Sequence, residues 1–187
     1  MSLKHAILGF LHFGPQTGYD LKTRCFDRSV RHFWPAEQSQ IYRTLDRLRA
    51  DGLAEMTVEP QTDRPSRKVY TITEAGRAEF GRWLEEDLPL TAYRDPFLIQ
   101  LFFAELLPLD EVRARLEAQV AQHQARLVRY RGEVQAALNA SIAETGQTHA
   151  GVFWQMTLDW GIRLEEAWLA WANDCLEALQ SLEEARE

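Results

Sequence analysis

Between Pro35 and Lys68 the chain spaces its polar side chains for recognition rather than for reaction. Ile41, Leu45 and Leu48 recur at intervals of three and four, which is one face of a helix. The opposite face, centred on Ser39, Arg43 and Ala50 with Tyr42 and Arg47 beside it, then points to solvent. A guanidinium grips the O6 and N7 of guanine through two parallel hydrogen bonds, and small hydroxyls and amides read other base edges. Ser39, Gln40 and Arg43 therefore have the chemistry of base contact, while Tyr42 and Arg47 are placed for phosphate. Asp46 also faces outward, where it either accepts from cytosine N4 or is repelled by the duplex. Further on, Arg64, Arg67 and Lys68 gather around the turn formers Asp63, Pro65 and Ser66, a basic cluster suited to the nucleic-acid backbone or the minor groove.

Nothing comparable is set out for catalysis. The chain has no Gly-rich phosphate loop, no GxSxG and no HExxH, and His5, His12, His32, His123 and His149 are scattered. Runs such as Glu85, Glu86 and Asp87, or Glu165 and Glu166, read as solvated faces rather than acid/base pairs. Cys25 and Cys175 stand far apart without metal-ligand spacing and read as reduced packing residues. His123 has no second ligand three or four positions away, so neither a metal nor a cofactor is expected.

The elements that must position the recognition residues follow from periodicity. A first helix over Leu3 to Phe13 is closed by Gly14 and Pro15, and a second runs from Gly18 to about Arg28, opened by the Thr17/Asp20 capping box, with Leu21 and Cys25 inward and Lys22 outward. Phe33 and Trp34 suit a hydrophobic plug before Pro35, which suits the first turn of the reading helix, about Ala36 to Asp51. Gly52 caps that helix. Beyond it the pattern alternates through Met56 and Val58, then Val69 and Ile72, so a β-hairpin with a basic tip follows. A helix with an outward polar face followed by such a hairpin is a winged-helix signature. Thr73 and Glu74 open a further helix in which Ala75, Phe80, Trp83 and Leu84 can cover the sheet.

Turn formers and a change of charge balance put a domain boundary near residue 90, giving domains 1–90 and 91–187. Past a short apolar helix from Pro96 to about Leu107, Asp110 to about Glu144 forms one amphipathic helix of about 50 Å. Its seam of Leu116, Val120, His123, Leu127, Tyr130 and Val134 has coiled-coil spacing and exceeds what one small domain needs. After a turn at Thr145 to Thr148, a last helix from about Gly151 to Leu182 carries four of the six Trp. A stripe that wide suits self-association first, then a ligand pocket, then a plain core.

In order along the chain, ILGFLHFGPQTGYDLK, FW, SQIYRTLDRLRADGLAE and RKVYTITEAGRAEFGRWL resemble the PadR-type transcriptional regulators over nearly all of residues 6 to 84. FLIQLFF and FWQMTLDWGIRLEEAWLAWANDCLEAL are similar to the longer all-helical C-terminal domain of one subgroup. The resemblance implies a homodimer held by the C-terminal helices, and an aromatic small molecule as the signal. Such a ligand, stacked where the two domains meet, would use Tyr19 and, at the start of the last helix, His149, Phe153 and Trp154.

The net charge of -7 argues against nucleic acid only until the chain is divided: residues 1 to 90 carry 13 basic and 13 acidic side chains, the remainder 8 and 15. A neutral first half with a basic tip can present a positive footprint, while the acidic half is kept off the duplex. No run nears eighteen apolar residues and the N-terminus lacks a secretory pattern, so a cytoplasmic protein without membrane contact is expected. The expectation is a mainly α protein, an N-terminal winged helix followed by an all-α helical-hairpin dimerisation domain. Its function would be that of a dimeric DNA-binding repressor acting on a pseudo-palindromic operator. The alternative is a winged helix used for protein contacts, or a small-molecule-binding module; the polar, partly basic outward face of residues 39 to 50 favours DNA.

Overall fold

The computed structural model describes residues 2–60 and 66–185, and its packing falls into two units, residues 1–90 and 91–187. In the first, α1 (Ser2–His12) buries Ile7, Leu8 and Leu11 on one side. A two-residue strand β1 (Gln16–Thr17) leads into α2 (Gly18–Asp20), which continues directly as a π-helical segment, Leu21–Val30. The expected inward pair Leu21 and Cys25 is here Leu21 and Phe26, with Cys25 half-buried. The hydrogen bonds of a π-helix close over five residues rather than four, so the inward face recurs one position later. Burial pushes the Cys25 thiol up to about 11, which keeps it protonated and unreactive. Lys22 is drawn inward rather than outward: its ammonium donates to Asp27 Oδ1 at 2.8 Å and to the Ala36 carbonyl at 3.0 Å, tying this segment to the chain just ahead of α3 (Gln38–Ala50).

The reading helix α3 begins two residues later than Ala36. Glu37 rather than Pro35 opens it, because the Gln40 side chain accepts from the Glu37 amide at 3.0 Å and supplies the cap. Phe33 and Trp34 do not form the expected plug; both are exposed, and Phe26 fills that role, meeting Phe10 edge-on at 5.2 Å. At the far end Gly52 adopts φ +70, and the Leu53 amide donates to the Leu48 carbonyl at 2.8 Å, the left-handed cap its sequence implied.

Strands β2 (Ala54–Glu59) and β3 (Arg67–Ile72) pair antiparallel with Met56 opposite Tyr70 and Thr57 opposite Val69, forming the hairpin. β1 adds to the other side of β3, giving the order β1-β3-β2. Two residues are too few to show alternation, so this strand had no sequence signal. The hairpin tip, with Asp63, Arg64 and Pro65, lies outside the described residues.

α4 (Glu74–Leu84) is capped by the Thr73 hydroxyl, which accepts from the Gly76 amide at 3.0 Å and donates to the Gly52 carbonyl at 2.7 Å. Its aromatics were expected to cover the sheet; they pack instead on α1. Phe80 lies against Gly9 and Trp83 stacks on His5 at 4.7 Å, while Ala75 and Leu84 are exposed. Gly76 sets this orientation, since a Cβ there would meet the Leu53 carbonyl oxygen at 2.1 Å.

On the same contact Glu79 accepts from Lys4, from Arg82 at 2.7 Å and from the His5 ring at 3.3 Å. Lys4 chiefly, then Arg82 and His5, bring its carboxyl down to about 2. A depressed acid contributes stability that is present above its unfolded value and lost as pH falls through the folded one. Glu79→Gln is therefore expected to lower the unfolding midpoint at neutral pH, with the gap from wild type closing as pH drops from about 5 to about 2. Thermal melts across that range check it; a gap that does not change with pH would mean Glu79 matters only by packing.

In the second unit Asp95 caps α5 (Pro96–Phe102) by accepting from the Phe97 amide at 2.8 Å, and a short 3-10 turn, Ala104–Leu106, follows. Then α6 (Leu109–Arg129), a π turn (Tyr130–Val134) and α7 (Gln135–Thr145) run as one continuous rod, ended by Gly146 at φ +67. α8 (Thr148–Glu184) returns antiparallel along it. Arg113 pairs with Glu183 at 2.7 Å at one end, and the amides of Gln135 and Gln155 pair at 2.7 and 3.0 Å towards the other.

The coiled-coil seam, longer than one small domain needs, is met along its length by α8 of the same chain. Leu116 and Tyr130 are buried and the rest of the seam is half-buried. α8 offers it Leu158, Gly161, Glu165 and Ala172. Val152, Phe153, Met156, Trp160 and Leu164 fall on the opposite side of α8 and are exposed.

Glu165, 3% exposed, accepts from Arg126 at 3.1 Å and lies 2.5 Å from Nδ1 of His123, whose ring stacks on Trp168 at 3.7 Å. Glu165→Gln keeps the shape and removes the charge, so it is expected to cost about 2 kcal/mol. Chemical denaturation of the full chain measures this. A change within about 0.5 kcal/mol would show that the pair contributes no more than an exposed one.

Candidate nucleic-acid interface

Ile41, Leu45 and Leu48 anchor α3 in the core that also holds Ile7, Leu8, Leu11, Leu21, Phe26, Tyr70 and Ile72, so its other face has no choice but solvent. Ser39, Gln40, Tyr42, Arg43 and Arg47 are all on it and all exposed. Arg43 Nε donates to the Ser39 carbonyl at 3.3 Å, which lays the guanidinium along the face towards the start of the helix. Gln40 carries two tasks. Its amide oxygen accepts from the Glu37 amide, while its NH₂ group stays available as a donor to an acceptor on a base edge.

Tyr42 leans off this face onto the start of α2. A Cβ on Gly18 would stand 2.5 Å from Tyr42 Cε1, so the ring lies flush on that glycine. A shallow hollow continues from there to the hairpin, lined by Thr17 to Asp20, Tyr42 and Ser66 to Lys68. The structure thus brings the start of β3 next to the hairpin tip, Arg67 and Lys68, to the same side as α3; Arg64 lies outside the described residues. Arg67 donates to Asp20 Oδ2 at 3.2 Å, and Arg24 approaches the same carboxylate at 3.8 Å. The Thr17 hydroxyl, above all, holds the Asp20 carboxyl below the usual range, and Arg24 and Arg67 add to this.

The sequence marks Thr17 and Asp20 as a capping box and no more. The Thr17 cap is present, with the Asp20 amide donating to Thr17 Oγ1 at 3.0 Å. Nothing local announces the pairing with Arg67, 47 positions away.

The four aromatics expected to read a signal occur in both units, and each set is described within its own. Tyr19 is 63% exposed in α2; His149 and Phe153 meet edge-on at 5.3 Å in the first turns of α8, and Trp154 is half-buried. No group of three or more His, Cys, Asp or Glu that could hold a metal occurs among the described residues, and no helix among them is long and apolar enough to cross a membrane. The site as built is a convex helical surface of hydrogen-bond donors with a basic margin, which suits it to a grooved polyanion.

Residues 7–82 match the model of the transcriptional regulator PadR-like family, and residues 93–180 match that of the virulence activator alpha C-terminal domain. The chain is 34% identical over 192 residues to a probable transcriptional regulator of Mycobacterium tuberculosis, covering 96% of this chain and 98% of the relative. It is 29% identical to the negative transcriptional regulator PadR of Bacillus subtilis, covering 93% of this chain and 95% of that protein. Two solved structures of the Bacillus subtilis protein superpose on it, each covering 96% of this chain and 99% of the other at 26% identity. One is in complex with operator DNA, with a TM-score of 0.82, and the other with p-coumaric acid, with a TM-score of 0.76. The Vibrio cholerae virulence activator AphA, 29% identical, superposes with a TM-score of 0.74, covering 97% of this chain and 99% of that one.

Proposed function

The chain belongs to the PadR-like family of transcriptional regulators, and on that premise we propose that it is a dimeric repressor whose hold on an operator is released by an aromatic small molecule. The observation that carries the proposal is the exposed polar face of α3, with Ser39, Arg43 and Arg47 free of the core and Arg67 and Lys68 beside it. The buried centre of a protein–protein interface is depleted of charge, whereas the middle of this face carries Arg43 and Arg47. Gln40 joins Ser39 and Arg43 at base edges; Tyr42, Arg47, Arg64, Arg67 and Lys68 take the backbone or the minor groove.

Two copies follow from the reading mode. One helix reads one half-site, so a specific operator needs a second helix about one DNA turn away, related by a two-fold axis and hence a pseudo-palindrome. The exposed apolar side of α8 and the exposed Ile99, Phe102, Phe103 and Leu106 are surfaces for that association. The aromatics open to such a signal are Tyr19 in the first unit and His149, Phe153 and Trp154 in the second; the p-coumaric acid complex of the Bacillus subtilis regulator supports a planar carboxylate as its class. The negative direction follows that regulator.

Selection of bound duplexes from a random pool tests the function, followed by release with phenolic acids. Enrichment of a two-fold-related motif is the expected result, with affinity falling steeply as salt rises. Recovery of random sequence would leave only non-specific binding and would reject the operator.

A further inference from the structure

We propose that Asp20 is a positioning residue for DNA recognition: anchored on α2, it holds the guanidinium of Arg67 where the hairpin contacts the duplex. This rests on the reading that Arg67 touches nucleic acid.

Three observations lead to it. The first is that Asp20 is fixed independently of Arg67. Its amide donates to Thr17 Oγ1 at 3.0 Å and the Thr17 hydroxyl donates back to Asp20 Oδ2 at 2.6 Å, so the carboxylate points one way before any partner arrives. The second is where this short segment sits. Thr17 pairs with Val69 of β3, and Gly18 backs onto the Tyr42 ring of α3, so the segment bearing Asp20 touches both the hairpin and the reading helix. Arg67 opens β3, beyond the last residue that β1 supports, where a long side chain would otherwise sweep a wide volume.

The third concerns capacity. Asp20 engages one terminal nitrogen of Arg67, at 3.2 Å, and the Arg67 side chain remains 46% exposed. A guanidinium has five N–H donors in a rigid fork, so the pair with Asp20 and a bond to a phosphate oxygen can coexist. An exposed pair contributes little stability, so its use lies in orientation: the rotamer entropy of Arg67 is given up before the duplex arrives. The Asp20 carboxyl, lowered by the Thr17 hydroxyl, stays ionised throughout the physiological range.

The test is a double-mutant cycle on the full chain, with D20N, R67A and D20N/R67A titrated against the selected operator and a scrambled duplex over a salt series. Because Arg67 makes a sequence-independent contact, D20N is expected to lower affinity for the operator and for the scrambled duplex alike, by about threefold per copy of the chain bound, and to do nothing further once Arg67 is gone. Asp20→Glu keeps the charge but displaces it by one methylene. It should show the same loss of affinity for both duplexes with an unchanged thermal midpoint, which serves if D20N folds poorly.

If D20N tightens both duplexes alike, Asp20 is only a competitor of phosphate and the proposal fails. An equal loss in the R67A background would make Asp20 structural, and the proposal fails too. A silent R67A, with unchanged affinity and salt slope, is a different result: it removes the Arg67 contact itself and takes the underlying reading with it.

Discussion

Replacing Arg43 by alanine is expected to weaken operator binding by about 1 to 3 kcal/mol per half-site and to relax base preference at one position in each. Arg43 lies on the exposed face of α3, one turn beyond Ser39, and the Ser39 carbonyl already fixes its Nε. That leaves the two terminal nitrogens as a fork for guanine O6 and N7. Arg67 is held at the margin of the face by a carboxylate, and its bare positive charge suits phosphate or the minor groove. Arg67→Ala should therefore weaken binding to every duplex alike and reduce the salt slope by about 1 for each phosphate no longer neutralised, counted twice in a dimer. Affinity against salt for both variants, on the selected operator and a scrambled duplex, separates the two roles. If Arg43→Ala weakens both duplexes equally while Arg67→Ala alters only preference, the hairpin is the reader.

The contrast between these two arginines also marks how far the sequence can be read. The place of Arg43 follows from Ile41, Leu45 and Leu48 alone, because a 3.6-residue period leaves no freedom about which side of a helix faces out. The same logic yields the left-handed cap at Gly52, the hairpin and the long rod of the second unit. It fails where the period itself changes. The π-helical segment from Leu21 substitutes Phe26 for Cys25 as the inward residue, and nothing in LKTRCF distinguishes a π from an α period.

It also fails where contacts are non-local. The seam of α6 is legible as a seam, but not that α8 of the same chain fills it, since both answers demand the same apolar pattern. On α8 the apolar stripe is legible, but the side that packs on α6 is built from Leu158, Gly161, Ala172 and the charged Glu165, which periodicity counts as polar. Asp20 belongs to the same class: its cap is visible in the sequence and its partner is not.

That packing bears on assembly, because a filled seam no longer argues for a second copy and the exposed apolar residues must. Val152, Phe153, Met156, Trp160 and Leu164 line one side of α8, and Ile99, Phe102, Phe103 and Leu106 add further apolar surface in the same unit. Scattered exposed apolar residues need no explanation, but a row of five along one helix is the signature of a covered surface. Residues 1–90 carry a complete core of their own and a balanced 13 basic and 13 acidic side chains. Cut at that boundary, the first unit is expected to fold as a monomer with one reading helix, while the full chain is a dimer at micromolar concentration. Losing the second helix removes the gain from joining two half-site contacts, so operator affinity should fall by about 100- to 10,000-fold. The residual binding to a single half-site should still depend on Arg43. Light scattering on both chains, with operator titrations beside it, is the measurement. A full chain that scatters as a monomer, or a fragment that binds the operator as tightly as the full chain, would remove both the two-fold axis and the palindrome inferred from it.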